Sequence, residues 1–160
     1  MTTTIRPARP DDAETIAALI RELAAYEKLE DKAKATADGL RHHLFGPRPA
    51  AEALMAESDG SPAGFALFFP TFSTFRGQPG LYLEDLFVRP DYRGQGIGKA
   101  LLAAVARLAA DRGAGRLEWS VLDWNEPSIA FYRSQGAVPM DDWTVFRVDE
   151  AALAALAGKN

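Results

Sequence analysis

The sequence contains no cysteine and only two histidines, the adjacent His42 and His43. Without cysteine there is no disulfide framework, no thiolate nucleophile and no cysteine metal site, and two neighbouring histidines make a poor ligand set. No metal is therefore expected, and His42 and His43 read as surface or packing residues. The redox compartment stays open on this argument. Positive charge is also scarce, with 18 Lys and Arg against 22 Asp and Glu and a formal charge of −4. No broad basic field exists to hold nucleic acid or an anionic membrane without sequence preference, so neither partner is expected and an amine fits better. No apolar run approaches the ~20 residues that span a bilayer. The opening MTTTIRPARPDDA lacks the apolar centre of a signal peptide, which places the expected location in the cytoplasm.

What is present suits one folded unit. The chain has 160 residues, 48% of them hydrophobic, enough to bury a single core, and a single domain over 1–160 is expected. No internal repeat, low-complexity segment or long linker divides it. The β-branched start TTTI predicts a first strand. Asp11 and Glu14 have the spacing of a capping box for a helix carrying Ile16, Leu19, Ile20 and Leu23 and ending near Tyr26 and Glu27. Thr36 predicts the cap of a short helix with Leu40, His42, His43 and Leu44, stopped by Gly46 and Pro47. EALMAESDGSPAGFALFF predicts a hairpin turning at Asp59 and Gly60, and FSTFRGQPG a loop. LYLEDLFV then predicts a strand. Ile97, Leu101, Leu102, Val105 and Leu108 predict a helix ended by Gly113, and RLEWSVLDW the next strand. Asn125 predicts the cap of a short helix with Pro127 in its first turn and Gly136 at its end. DWTVFRV predicts a last strand before an alanine-rich helix. Strand, loop, helix and strand in succession indicate an α/β crossover unit.

Three stretches carry chemistry. Arg93-Gly94-Gln95-Gly96-Ile97-Gly98 follows a strand and opens a helix, where free backbone N–H groups and the helix dipole favour phosphate. A dinucleotide fingerprint would need Gly or Ala at 99, which is Lys99. A Walker loop would need Gly at 93 and Ser or Thr at 100, where the chain has Arg93 and Ala100. What remains, arginine with glycine three and five residues later, resembles the coenzyme A pyrophosphate loop of the GNAT N-acetyltransferases; the competing reading is a turn that merely starts a helix. In the strand before it, Glu84 and Asp85 are adjacent, and a regular strand sends neighbours to opposite faces. Either one carboxylate is buried or a bulge re-aims the pair. An alkylammonium of pKa ~10.4 must lose a proton before it attacks a thioester, and a carboxylate can attract it and serve as general base. Glu84 is assigned that role, directly or through water, and Asp85 shapes a cationic site; a paired structural acid is the alternative. In DWNEPSIAFY, Asn125, Ser128 and Tyr132 fall on one helix face. Tyr132 can protonate a leaving thiolate of pKa ~8.5, unless it is an ordinary core tyrosine.

ELAAYE, YLEDLFV, DYRGQGIG and WNEPSIAFY together resemble the spermidine/spermine acetyltransferase branch of the GNAT superfamily, closest to the thialysine acetyltransferase type, over nearly the whole chain. The resemblance implies an α/β fold with a central mixed, mostly antiparallel sheet whose fourth and fifth strands splay apart, flanked by helices. Acetyl-CoA would lie in the splay, and the protein would be a homodimer. It further implies that Leu86, Phe87 and Val88 contact the acetyl-pantetheine arm through backbone, that Arg93, Gly94, Gln95, Gly96, Ile97, Gly98 and Lys99 hold the pyrophosphate, and that Asn125, Ser128 and Gln135 hold the rest of the coenzyme. Tyr132 matches the family's acid. Tyr26, Glu27, Glu84, Glu118, Trp119 and Ser120 match the acceptor site, beside the cationic site read at Asp85, with Asp141 as a further carboxylate. One departure stands out: the polyamine enzymes have an acidic residue and a tryptophan where this chain has Ser73 and Phe75. Loss of a carboxylate weakens binding of a distant second ammonium, which favours a small primary amine, a lysine-like amino acid or short diamine, over spermidine. A protein amine or antibiotic acceptor, and a coenzyme A-binding regulatory module without catalysis, are the alternatives.

Overall fold

The computed structural model describes residues 2–159. Its elements run in the order β1 (Thr3–Pro7), α1 (Ala13–Tyr26), α2 (Ala37–Phe45), β2 (Glu52–Ser58), β3 (Ser61–Ser73), β4 (Gln78–Val88), α3 (Ile97–Asp111), β5 (Leu117–Glu118), α4 (Glu126–Ser134) and α5 (Glu150–Leu156). The chain groups into two compact units, residues 1–122 and 123–160.

In the first unit the five strands form one sheet in the order β1-β2-β3-β4-β5. The first four pair antiparallel with their neighbours, and β4 pairs parallel with β5 across α3, the expected crossover. One face of the sheet is covered by α1 and α2. Ile16 and Leu19 from α1 and Leu44 from α2 pack there with Met55, Phe65, Leu67 and Phe87. By strand alternation Phe68 and Ala66 point to the other face, the side of α3, whose Leu101 and Val105 are fully buried. Truncating a fully enclosed ring such as Phe65 would cost about 3–5 kcal/mol.

Helix ends follow local chemistry with one correction. Thr36 Oγ1 accepts from Gly39 N at 3.0 Å, as its position suggested. The Asp11–Glu14 box does not form. Asp12 holds the entry to α1 instead, accepting from Arg9 N at 2.7 Å and from both Arg6 terminal nitrogens at 2.8 and 2.9 Å, while Glu14 pairs with Arg41 of α2. The Asp12 carboxylate thus takes a local backbone N–H and a two-pronged arginine grip at once. The Arg6 contact holds the Asp12 carboxyl below the ordinary range.

Strand lengths differ from expectation where a neighbour fails or persists. FSTFRGQPG is mostly strand: β3 continues to Ser73 and β4 begins at Gln78, leaving only Thr74–Gly77 as the turn. RLEWSVLDW is reduced to Leu117–Glu118, because pairing with β4 ends at Tyr82↔Glu118. In the second unit DWTVFRV is not a strand. Val145 and Phe146 are exposed, and among the described residues the segment has no ladder partner, without which alternation alone makes no strand. α4 and α5 form where expected, α4 closing before Gly136 at φ 92°.

Candidate active site

The adjacent carboxylates are explained by a bulge in β4. Going along the ladder, Phe68 pairs with Leu83 but Leu67 pairs with Asp85, so Glu84 is the extra residue. The insertion reverses the parity of the strand. Residues directly opposite each other share a face, so Phe69, Leu67 and Phe65 place Tyr82, Asp85 and Phe87 together on the α1 side. Without the bulge Tyr82 and Asp85 would face opposite ways. Glu84 is left exposed and Asp85 half-buried.

Burial, reinforced by the charges of Glu84 and Glu27, pushes the Asp85 carboxyl up to about 7. Glu27, at the end of α1, is also raised by burial. The charges of Glu84 and Glu27 thus both bear on Asp85, which lies on the α1 face. Such a cluster suits an ammonium, which would relieve the repulsion that raises Asp85.

Next to it, Arg93 closes the end of β4. Its Nε donates to Val88 O at 2.9 Å, and its guanidinium carbon lies 5.0 Å from the centre of the Tyr26 ring and 5.6 Å from that of Phe87. The arginine thus links the glycine loop to the helix end that carries Tyr26 and Glu27. Arg89 anchors the same strand end, donating to both Glu22 carboxylate oxygens and to Pro62 O at 3.1 Å. Gly64 lets β3 pass there: a Cβ on it would sit 2.4 Å from Phe87 O.

The loop itself is a backbone cradle. Gly96 is the N-cap of α3 at φ 79°, a conformation costly for other residues, and no side chain caps this end. The N–H groups of the first turn, Ile97, Gly98 and Lys99, have no partner within the helix. Ile97 is buried, so only its backbone can serve a ligand, whereas Gln95 and Lys99 are exposed. Anion binding by such a helix end needs no particular side chain.

Beyond Tyr82↔Glu118 the β4–β5 ladder stops, so among the described residues Leu86, Phe87 and Val88 have no ladder partner in β5, and Val88 O is taken by Arg93 Nε. This is the expected splay. On its β5 side Glu118 pairs with Arg116 at 3.2 Å, Trp119 is half-buried, and Ser120 Oγ lies 2.6 Å from Tyr82 Oη. Tyr82 stacks on Phe69, with centroids 5.3 Å apart. Period-two reading could not have found Tyr82 beside Asp85, because the bulge is invisible to it.

In the second unit, Asn125 caps α4, its Oδ1 accepting from Ser128 N at 3.4 Å, and Tyr132 lies one turn further along the same face. Gln135 is at the end of the helix, where its side chain donates to Ser134 Oγ. Asp141 is exposed in the irregular stretch that follows. Ser73 and Phe75 lie at the β3–β4 turn of the first unit: Ser73 is buried and its hydroxyl accepts from Arg76 N, while Phe75 is 97% exposed.

Residues 16–137 match the family model of the GNAT acetyltransferases, described as Acetyltransferase (GNAT) family. The chain belongs to this family. Among its relatives it is 40% identical to the thialysine N-epsilon-acetyltransferase of Bos taurus, with 97% of each chain covered. It is 34% identical to the L-ornithine N5-acetyltransferase of Arabidopsis thaliana, covering 95% of this chain and 86% of the relative. The fold is shared with an integron cassette protein from the mobile metagenome of V. cholerae, with TM-score 0.82, 27% identity and 98% of each chain covered. GNAT membership makes acetyl-CoA the family cosubstrate, and the splay and the glycine loop fit it: an open strand edge beside Leu86–Val88 for an amide-bearing arm, and an uncapped helix end for phosphates. Among the described residues no group of three metal-binding side chains occurs, and no helix is long and apolar enough to cross a membrane.

Proposed function

We propose that this GNAT acetyltransferase moves an acetyl group from acetyl-CoA directly to a small primary amine, a lysine-like amino acid such as thialysine or ornithine, or a short diamine. The observation that carries the reading is the bulge at Glu84, which gathers Glu84, Asp85 and Glu27 immediately before the open edge of β4. The names of the relatives support the acceptor class.

The reaction needs a neutral amine, an acyl group held still and a proton for the departing thiolate. Glu84, exposed at the mouth, attracts the ammonium and takes its proton directly or through water. Asp85 favours a second assignment within the same pair, since a base of pKa near 7 is best matched to neutral pH. The neutral nitrogen attacks the thioester carbonyl, whose developing negative charge is steadied by β4 backbone at Leu86–Val88. The carbon–sulfur bond breaks and Tyr132 supplies the proton to sulfur, with Asn125, Ser128 and Gln135 holding the coenzyme on the same helix. No covalent enzyme intermediate is required. Gly94–Lys99 with Arg93 hold the pyrophosphate, and Trp119, Glu118, Tyr26 and Asp141 belong to the acceptor side.

A single domain over 1–160, a cytoplasmic location and a homodimer complete the reading. The apolar side chains left exposed in the second unit, Trp143, Val145 and Phe146, support a homodimer. Steady-state coenzyme A release with thialysine, lysine, ornithine, diaminopropane, putrescine and spermidine tests the function. Faster turnover of the amino acids or short diamines is expected. Preference for spermidine would overturn the acceptor assignment, and no turnover despite acetyl-CoA binding would point to a protein acceptor or a non-catalytic module.

A further inference from the structure

We propose that Tyr82 is a specificity-determining residue, and that the Tyr82–Ser120 hydroxyl bridge closes the acceptor end of the gap between β4 and β5 and so limits the length of amine accepted. The inference rests on the amine-acetylation reading and deepens it.

The order of groups along β4 gives the site a direction. Leu86–Val88 and then the glycine loop lie on the C-terminal side of the carboxylates, where the coenzyme belongs. An amine whose nitrogen meets the acyl group beside Asp85 must extend the other way, toward Tyr82. The bulge places Tyr82 and Asp85 on one face, two ladder positions apart, which is roughly 7 Å at ~3.3 Å per residue. There the gap ends. The last ladder pair is Tyr82↔Glu118, and the 2.6 Å contact between Tyr82 Oη and Ser120 Oγ carries a side-chain link from that pair to the residue two past it on the β5 side. Stacking on Phe69 fixes the Tyr82 ring, so the hydroxyl is held across the gap rather than swinging out of it.

A chain of a few methylenes fits before this bridge, and a longer amine must break the bridge to pass. Because the bond is one contact shared by two side chains, removing either hydroxyl has the same consequence. Removing both adds nothing further.

The test compares Tyr82→Phe, Ser120→Ala and the double variant on diaminopropane, putrescine, cadaverine and spermidine, with thermal melting as a control. Tyr82→Phe keeps the ring and its stack. The expected result is a rise of about fivefold in the ratio of kcat/KM for spermidine over diaminopropane, the factor one net hydrogen bond supplies, in each single variant and no more in the double. An unchanged ratio in both single variants, with the parent active on short amines, would overturn the bridge and leave the enzyme assignment intact. A purely structural role would lower melting temperature and all rates together without moving the ratio, and would also overturn it. No transfer by the parent to any of these amines would instead sink the acetylation reading, and the bridge with it.

Discussion

The two halves of the proposed site, before and after Leu86 on β4, are built by opposite means. After Leu86 the protein offers backbone: an unpaired strand edge, glycines at positive φ and the uncapped start of α3. Before it the protein offers side chains, with the charges of Glu84 and Glu27 both acting on Asp85. Backbone recognition asks little of side-chain identity and much of glycine placement. Charge recognition depends on which face each carboxylate reaches, and here one inserted residue decides that. The coenzyme half is thus insensitive to strand parity, while the acceptor half is created by it.

Substitutions separate the halves, beginning with the largest effect. On the proposed mechanism, replacing Tyr132 with Phe removes the acid assigned to the thiolate and should lower kcat by about a hundredfold or more, with acetyl-CoA affinity held, as measured by isothermal titration and single-turnover kinetics. Asp85→Asn acts on stability with a sign fixed by its raised pKa. The folded state binds the Asp85 proton more tightly than the unfolded chain, so the contribution of the protonated carboxyl is full below about pH 4 and is lost as pH rises through about 7. The variant should therefore melt higher than the parent at pH 8 and no higher at pH 4, with an upper limit of about 4 kcal/mol that water penetration reduces. Gly96→Ala strains an N-cap at φ 79° and should raise the KM for acetyl-CoA about tenfold, the effect of ~1–2 kcal/mol of left-handed strain, while leaving the KM for amine near the parent value. Smallest of these, Arg93→Lys keeps the charge but loses the planar contact with Tyr26 and Phe87. A loss of about 1 kcal/mol is expected, and because the arginine joins loop and helix it should appear in the KM of both substrates.

The same contrast explains what could be read from sequence. Arg93, Gly96 and Gly98 predicted a loop that opens a helix, and Gly96 starts α3 at φ 79°, because glycine spacing at a strand-to-helix junction records backbone geometry directly. Asn125 and Thr36 were legible as caps for the same reason. Glu84 and Asp85 raised the right alternative, burial or a bulge, but sequence could not choose between them, since the shift is defined by the partner strand at Leu67 and Phe68. Tyr82 was missed in consequence: counted by twos it belongs with Glu84 and away from Asp85. Glu118 matched an acceptor position, yet its carboxylate is engaged by Arg116, and the buried hydroxyl of Ser73 closes a turn. The DWTVFRV segment alternates like a strand, but alternation cannot supply the neighbouring edge a strand requires. Long-range pairing, rather than local propensity, is what the sequence left unstated.

The most direct test of a carboxylate pair built to deprotonate an amine is the pH dependence of kcat/KM in the parent, Glu84→Gln and Asp85→Asn enzymes. In the parent, activity should fall as pH drops below about 7, the pKa of Asp85, and that acid limb should vanish or move in at least one of the two variants. An acid limb that stays in place in both would contradict the account, since the titrating group would then lie outside the bulge.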